Sequence, residues 1–170
     1  MEHLSTRLAR ELQETYHTAD PFLLMEYLGI NLLWRDDFVR LKGFYALCLG
    51  QRYIVLNQNL PEPELRVVAA HELGHDQLHR ELAMAGPMRD VELWNSPSRT
   101  EQQANVFAAE LLIPDETVKA AVREELDYGT LCAEAGCPPG LMSFKLYSMV
   151  QRGFEQLNLP EVPYSRFLRD

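Results

Sequence analysis

Residues 67–81 read VVAAHELGHDQLHRE, and the pentad His71-Glu72-Leu73-Gly74-His75 within them constrains the fold more than any other part of the chain. On an α-helix, positions i and i+4 lie one turn apart and point the same way. At about 100° per residue, Val67, Val68, His71, Gly74, His75, Leu78 and Leu82 fall on one stripe of a helix predicted over about 62–83. Both imidazoles therefore sit in the middle of the face that must be buried. Buried without partners they would be costly, so a bare pair of histidines on a helix face is the weaker reading. Two imidazoles at this spacing can share one tetrahedral Zn2+. Glu72, turned to the side, does not ligate the same ion but can reach water there and act as a general base. Gly74 costs about 1 kcal/mol of helix propensity against alanine, which makes sense if a crossing element or a substrate must approach the backbone.

His79 is the third histidine of the stretch. It lies roughly 12 Å from His71 along a straight axis, too far for one ion to bridge. A place at the helix end, or beside a ligand, suits it better. The remaining ligand is sought on SPSRTEQQANVFAAELLIP, residues 96–114, which reads as a helix over about 98–113 ending at Pro114. Its glutamates, Glu101 and Glu110, are nine positions apart, which is about half a turn out of phase, so only one is expected to face the core. Ala104, Asn105, Ala108, Leu111 and Leu112 fall within about 80° of Glu101, which selects Glu101. Ser98 followed by Glu101 also fits a capping box. That role leaves Asn105 unexplained, a polar residue one turn on along the apolar face. An amide there can bond a ligating histidine's other ring nitrogen and fix its tautomer.

HELGHDQLH, followed 26 residues after His75 by EQQANVFAAELLIP, resembles the ImmA/IrrE metallopeptidases, a gluzincin-like group. LKGFY, YIVLN and DPFLLMEYLGI are similar to that family as well, and the resemblance spans roughly residues 15–120. It implies a minimal thermolysin-like core and a zinc-dependent endopeptidase, with one ion per chain held by His71, His75 and Glu101 and with Glu72 as base. It also implies a substrate, a helix-turn-helix repressor, often encoded beside the peptidase on phage or integrative elements. Longer members carry a C-terminal sensor domain, for which no room is expected after about residue 155. Tyr45 and His79 are the candidates for stabilising an oxyanion. The strands near 41–57 could pair with an extended peptide. The ligand types alone do not separate zinc from Mn2+ or Co2+.

The rest of the chain reads as an α+β layout. An amphipathic helix is predicted over 5–18 with Ser5 as N-cap, and a second one from Pro21 with Asp20 as N-cap and Gly29 after its end. Strands follow at 30–35, 41–49 and 52–57, forming a small antiparallel sheet with a hairpin turn at Gly50-Gln51. A loop is expected over 85–98, a helix near Asp115, a last helix after GCPPG (136–140) to about Gln151, and an irregular tail over 157–170. Residues 1–125 read as the zincin-like domain, and 126–170 as a helical extension packed on it. The net charge of −9 argues against a binder of the phosphate backbone. The N-terminus has no apolar h-region, no segment is long and apolar enough for a membrane, and Cys48, Cys132 and Cys137 read as reduced thiols, all of which points to the cytoplasm. Cys132 and Cys137 read as small apolar residues rather than metal ligands. Two other functions are weighed: a zinc-containing anti-repressor that sequesters its partner without cutting it, and a DNA-binding helix-turn-helix over 128–153 that offers only Lys145 and Arg152 to phosphates.

Overall fold

The computed structural model describes residues 4–84 and 98–154. The expected irregular tail, and the expected loop apart from Ser98, lie outside them.

Helix α1 spans Leu4–Tyr16 and buries Ala9 and Leu12. Ser5 does not cap it: the helix already includes Leu4, and Ser5 is buried inside the first turn. Helix α2, Pro21–Tyr27, begins as its sequence signals predict, since the Asp20 carboxylate accepts from Phe22 N at 2.8 Å and Leu23 N at 3.3 Å. Gly29 follows its end at φ +67°.

Strands β1 (Asn31–Arg35), β2 (Gly43–Cys48) and β3 (Gln51–Asn57) form a sheet in the order β1-β3-β2. The expectation of a wholly antiparallel sheet is corrected here. β2 and β3 are antiparallel, but β1 runs parallel to β3, with Asn31 opposite Tyr53. A two-residue turn forces its strands antiparallel. A longer connection leaves the sense open, and residues 36–42 carry the chain past β3. They are pinned by Asn57 Nδ2, which donates to Phe38 O and Leu41 O, and by Asn59 Nδ2, which donates to Asp36 O at 2.9 Å. The hairpin turn is Leu49-Gly50, one residue earlier than expected. Cys48 pairs with Gln51, and both turn residues have positive φ, 49° and 75°, the geometry that matches strand twist.

Helix α3 spans Glu62–Leu78 and is the centre of the molecule. Its residues from Val67 to Asp76 are all buried, so the helix is covered on every side rather than along one stripe. The sheet packs on one side and helix α5, Arg99–Leu112, crosses the other. The predicted helix to residue 83 breaks at His79 (φ −127°, ψ 21°), and a short helix α4 resumes at Arg80–Ala83. The break loses the phase of the stripe: Leu82 is 54% exposed, while Ala83 turns inward.

Helices α6 (Asp115–Arg123), α7 (Tyr128–Ala135) and α8 (Pro139–Gln151) complete the described chain. α1 and α8 also pack on α5. Lys145 of α8 is 1% exposed, with Nζ 2.9 Å from Glu110 Oε2 and 2.6 Å from Asp115 Oδ1. Arg152 reaches the same two carboxylates, and Thr6 Oγ1 meets Ser148 Oγ at 3.0 Å. The expectation that only one glutamate of α5 faces the interior is therefore corrected. Glu101 and Glu110 are both buried, on opposite sides of a helix covered all round. No helix among the described residues is long and apolar enough to cross a membrane.

Candidate metal centre

The site is where α3 and α5 cross, and Gly74 makes the crossing close. A Cβ at residue 74 would stand 3.1 Å from Phe107 Cδ1 and 3.2 Å from both Cα and O of Ala104. Of the two explanations for this glycine, the crossing helix is the one observed. α5 is started by Ser98, whose Oγ accepts from Glu101 N at 3.2 Å. The cap bond thus forms, while the Glu101 carboxylate lies against α3. The cap and the carboxylate's place by α3 are compatible because the backbone amide serves the cap and the side chain is left for α3.

His71 Nε2 and His75 Nε2 are 3.0 Å apart, and each lies 3.2 Å from an oxygen of Glu101. Glu101 and both histidines are buried. Ligands of a tetrahedral ion bound at about 2.0–2.1 Å stand about 3.3–3.4 Å apart, so the spacing matches a divalent cation at the centre. Among the described residues, His71, His75 and Glu101 form the group whose ligand atoms converge, all within 4.8 Å of one another.

The protonation pattern suits the same ion. Asn105 Oδ1 lies 2.8 Å from His71 Nδ1. An amide oxygen can only accept, so Nδ1 carries the proton and Nε2 presents a lone pair to the centre. Burial pushes the His75 imidazole down to about 4, which keeps it neutral at neutral pH. Glu101 Oε1 has no hydrogen-bond donor. Nitrogen lone pairs and an anionic carboxylate converging in a dry interior repel one another, and a cation is what satisfies them.

Glu72 is buried on α3 between the two histidines and is not one of the converging ligands. His79 stands at the α3 break as its C-cap. Its Nδ1 lies 3.0 Å from His75 Nδ1, and its Nε2 lies 3.1 Å from Gln103 Oε1. Tyr45 is buried beside the Asp76 carboxylate, and burial together with that charge pushes its phenol up to about 12. It stands beside a second cluster, in which Asp76 Oδ2 accepts from Arg52, Gln77 and Arg80, and its own hydroxyl has no hydrogen-bond partner among the described residues. Arg52 also donates to Leu28 O. Sequence reasoning did not single out Asp76, Arg52 or Gln103. Asp76 is the exception that had a signal, an acidic residue directly after a histidine in the middle of an apolar helix.

The helix-turn-helix reading of 128–153 finds its two helices and its turn at Gly136, but not its cations at the surface. Lys145 and Arg152 were its phosphate contacts, and both are spent on Glu110 and Asp115. Lys145 is also too buried to meet a duplex. Cys132 and Cys137 line an apolar cleft with Pro61 and Val67. Burial pushes the Cys137 thiol up to about 12, so it stays protonated and a poor ligand.

Two histidines one turn apart on a buried helix, a glutamate on a helix crossing it and a small sheet on the other side define the class: a compact zincin-like core. The chain belongs to the Peptidase_M78 family, described as the IrrE N-terminal-like domain, whose model matches residues 25–146. It is 35% identical over 136 residues to "Uncharacterized immunity region protein 2" of Bacillus phage phi105, covering 80% of this chain and 85% of that protein. The family is the one its paired motifs resemble.

Proposed function

We propose that this chain is a metal-dependent endopeptidase that cuts a helix-turn-helix repressor and thereby relieves repression of the kind found in phage immunity regions. The convergence of His71 Nε2, His75 Nε2 and the Glu101 carboxylate at 3.0–3.2 Å carries this reading. The peptidase family and the immunity-region relative support it. Zinc is the metal that best suits a two-nitrogen, one-carboxylate set with a free position.

When bound, the cation polarises the scissile carbonyl and acidifies water. Glu72 accepts the proton of the attacking water on its carboxylate as the new C–O bond forms. It then returns that proton to the amide nitrogen as the C–N bond breaks. Asn105 holds His71 in the ligating tautomer throughout. β2 is an edge strand of the described sheet and packs beside α3 and α4, so of the segment 41–57 it is β2 that can pair with an extended substrate.

Glu72→Gln keeps the shape and removes the base. Purified protein is loaded with Zn2+ and incubated with candidate helix-turn-helix repressors, any encoded beside its gene first. The wild type is expected to yield discrete fragments, and the variant to cut roughly 10²–10⁴-fold more slowly with unchanged metal content. Cleavage by the variant at the wild-type rate would end the peptidase reading. Relief of repression by a variant that cuts nothing would favour the sequestering protein instead.

A further inference from the structure

The two histidine ligands are oriented differently. His71 receives its amide directly, from Asn105. His75 faces another histidine, with His75 Nδ1 and His79 Nδ1 3.0 Å apart. Two identical ring nitrogens at that distance bond only if one carries a proton and the other does not. The neighbour beyond decides which. His79 Nε2 lies 3.1 Å from Gln103 Oε1, an oxygen with no proton to give. His79 therefore holds its proton on Nε2 and offers a lone pair at Nδ1. His75 then donates from Nδ1, and its Nε2 is left as a lone pair facing Glu101 and His71.

We propose that Gln103 and His79 are positioning residues that, as a relay of two hydrogen bonds, fix His75 in the tautomer able to bind metal. The inference rests on the metal-site reading above. Three elements build the relay. His79, the C-cap of α3, lies one turn beyond His75, and the two rings stand side by side with centroids 5.1 Å apart. Helix α5 then supplies Glu101, Gln103 and Asn105 from one short run. Glu101 meets both histidines, Asn105 sets His71, and Gln103 sets His75 through His79. Without the Gln103 oxygen, His79 is free to carry its proton on Nδ1. His75 Nδ1 must then accept, and its own proton moves to Nε2, where it blocks the ligand position. Loss of such an outer partner costs roughly 10–100-fold in metal affinity.

The test reads the tautomers directly, by long-range proton–nitrogen NMR on the metal-free protein at neutral pH, and reads affinity by titrating Co2+ and following its visible spectrum. In the wild type, His75 is expected to be protonated at Nδ1 and His79 at Nε2. In Gln103→Leu both rings should leave these states while His71 keeps its own, and Co2+ should bind about 10–100-fold more weakly. Gln103→Glu, which still accepts from His79, should restore both readouts. A wild-type His75 protonated at Nε2 overturns the proposal without any variant. So does a Gln103→Leu protein with unchanged tautomers and unchanged Co2+ affinity. If the tautomers behave as expected and wild-type protein takes up no Co2+, the relay stands and the metal-site reading falls.

Discussion

At residue 74 two physical effects oppose each other, and the structure shows which is larger. Replacing glycine by alanine in a helix ordinarily gains about 1 kcal/mol. Here the added methyl would press on Ala104 Cα and O, backbone atoms of α5 that cannot swing aside, at 3.2 Å. Overpacking of this kind costs about 1–3 kcal/mol. Gly74→Ala is therefore expected to lower stability by roughly 1 kcal/mol net, and to push apart the helices that carry His71, His75 and Glu101. A chemical-denaturation midpoint at or above wild type would contradict this. The pairing of His71 with His75 was legible in the sequence because it is local to one helix. Asn105 was legible because a polar residue on an apolar face needs a partner. Gln103 was not: its contact is with His79 of another helix, and spacing along one element does not show which residues of two helices meet. Tyr45 offered a hydroxyl near the right segment, and folding places it beside Asp76.

At the scale of elements, α5 starts in the place where its ligand is needed. Ser98 caps the helix, and Glu101 lies in the first turn, where the helix dipole also favours an anion. Ser98→Ala should cost about 1 kcal/mol in thermal unfolding of the metal-free protein. By fraying the turn that holds Glu101, it should also weaken Co2+ binding, and Ser98→Asp should recover most of both. Unfolding temperatures identical across the three proteins would show that the cap contributes nothing. The starts of α2 and α5 were readable because capping is decided by side chains within three or four positions. The sense of β1 was not readable, since residues 36–42 are long enough to place it either way and the asparagines that pin them act from β3 and beyond.

Across the whole molecule, α8 is fastened to α5 and α6 by the Lys145, Arg152, Glu110 and Asp115 cluster. The Arg152 guanidinium beside Asp115, with Lys145 behind it, holds that carboxyl well below the usual range. A carboxylate depressed on folding stabilises the native state above its unfolded value, 3.8, and loses that contribution as pH falls through the native value. Asp115→Asn should therefore be less stable than wild type near neutrality, with a gap that narrows as pH drops below about 4. Urea midpoints measured along that range check this, and a constant gap would refute it. By itself the sequence determined the α+β class, the HExxH helix, and the grouping of His71 and His75 with Glu101, because each follows from spacing on a single element or from a polar residue stranded on an apolar face. The tertiary structure alone decided that α3 and α5 are buried all round, that Glu110 and Lys145 meet inside, that the sheet is mixed and that Gln103 meets His79. Those outcomes depend on what covers the second face of each helix, and a helical period records only the first.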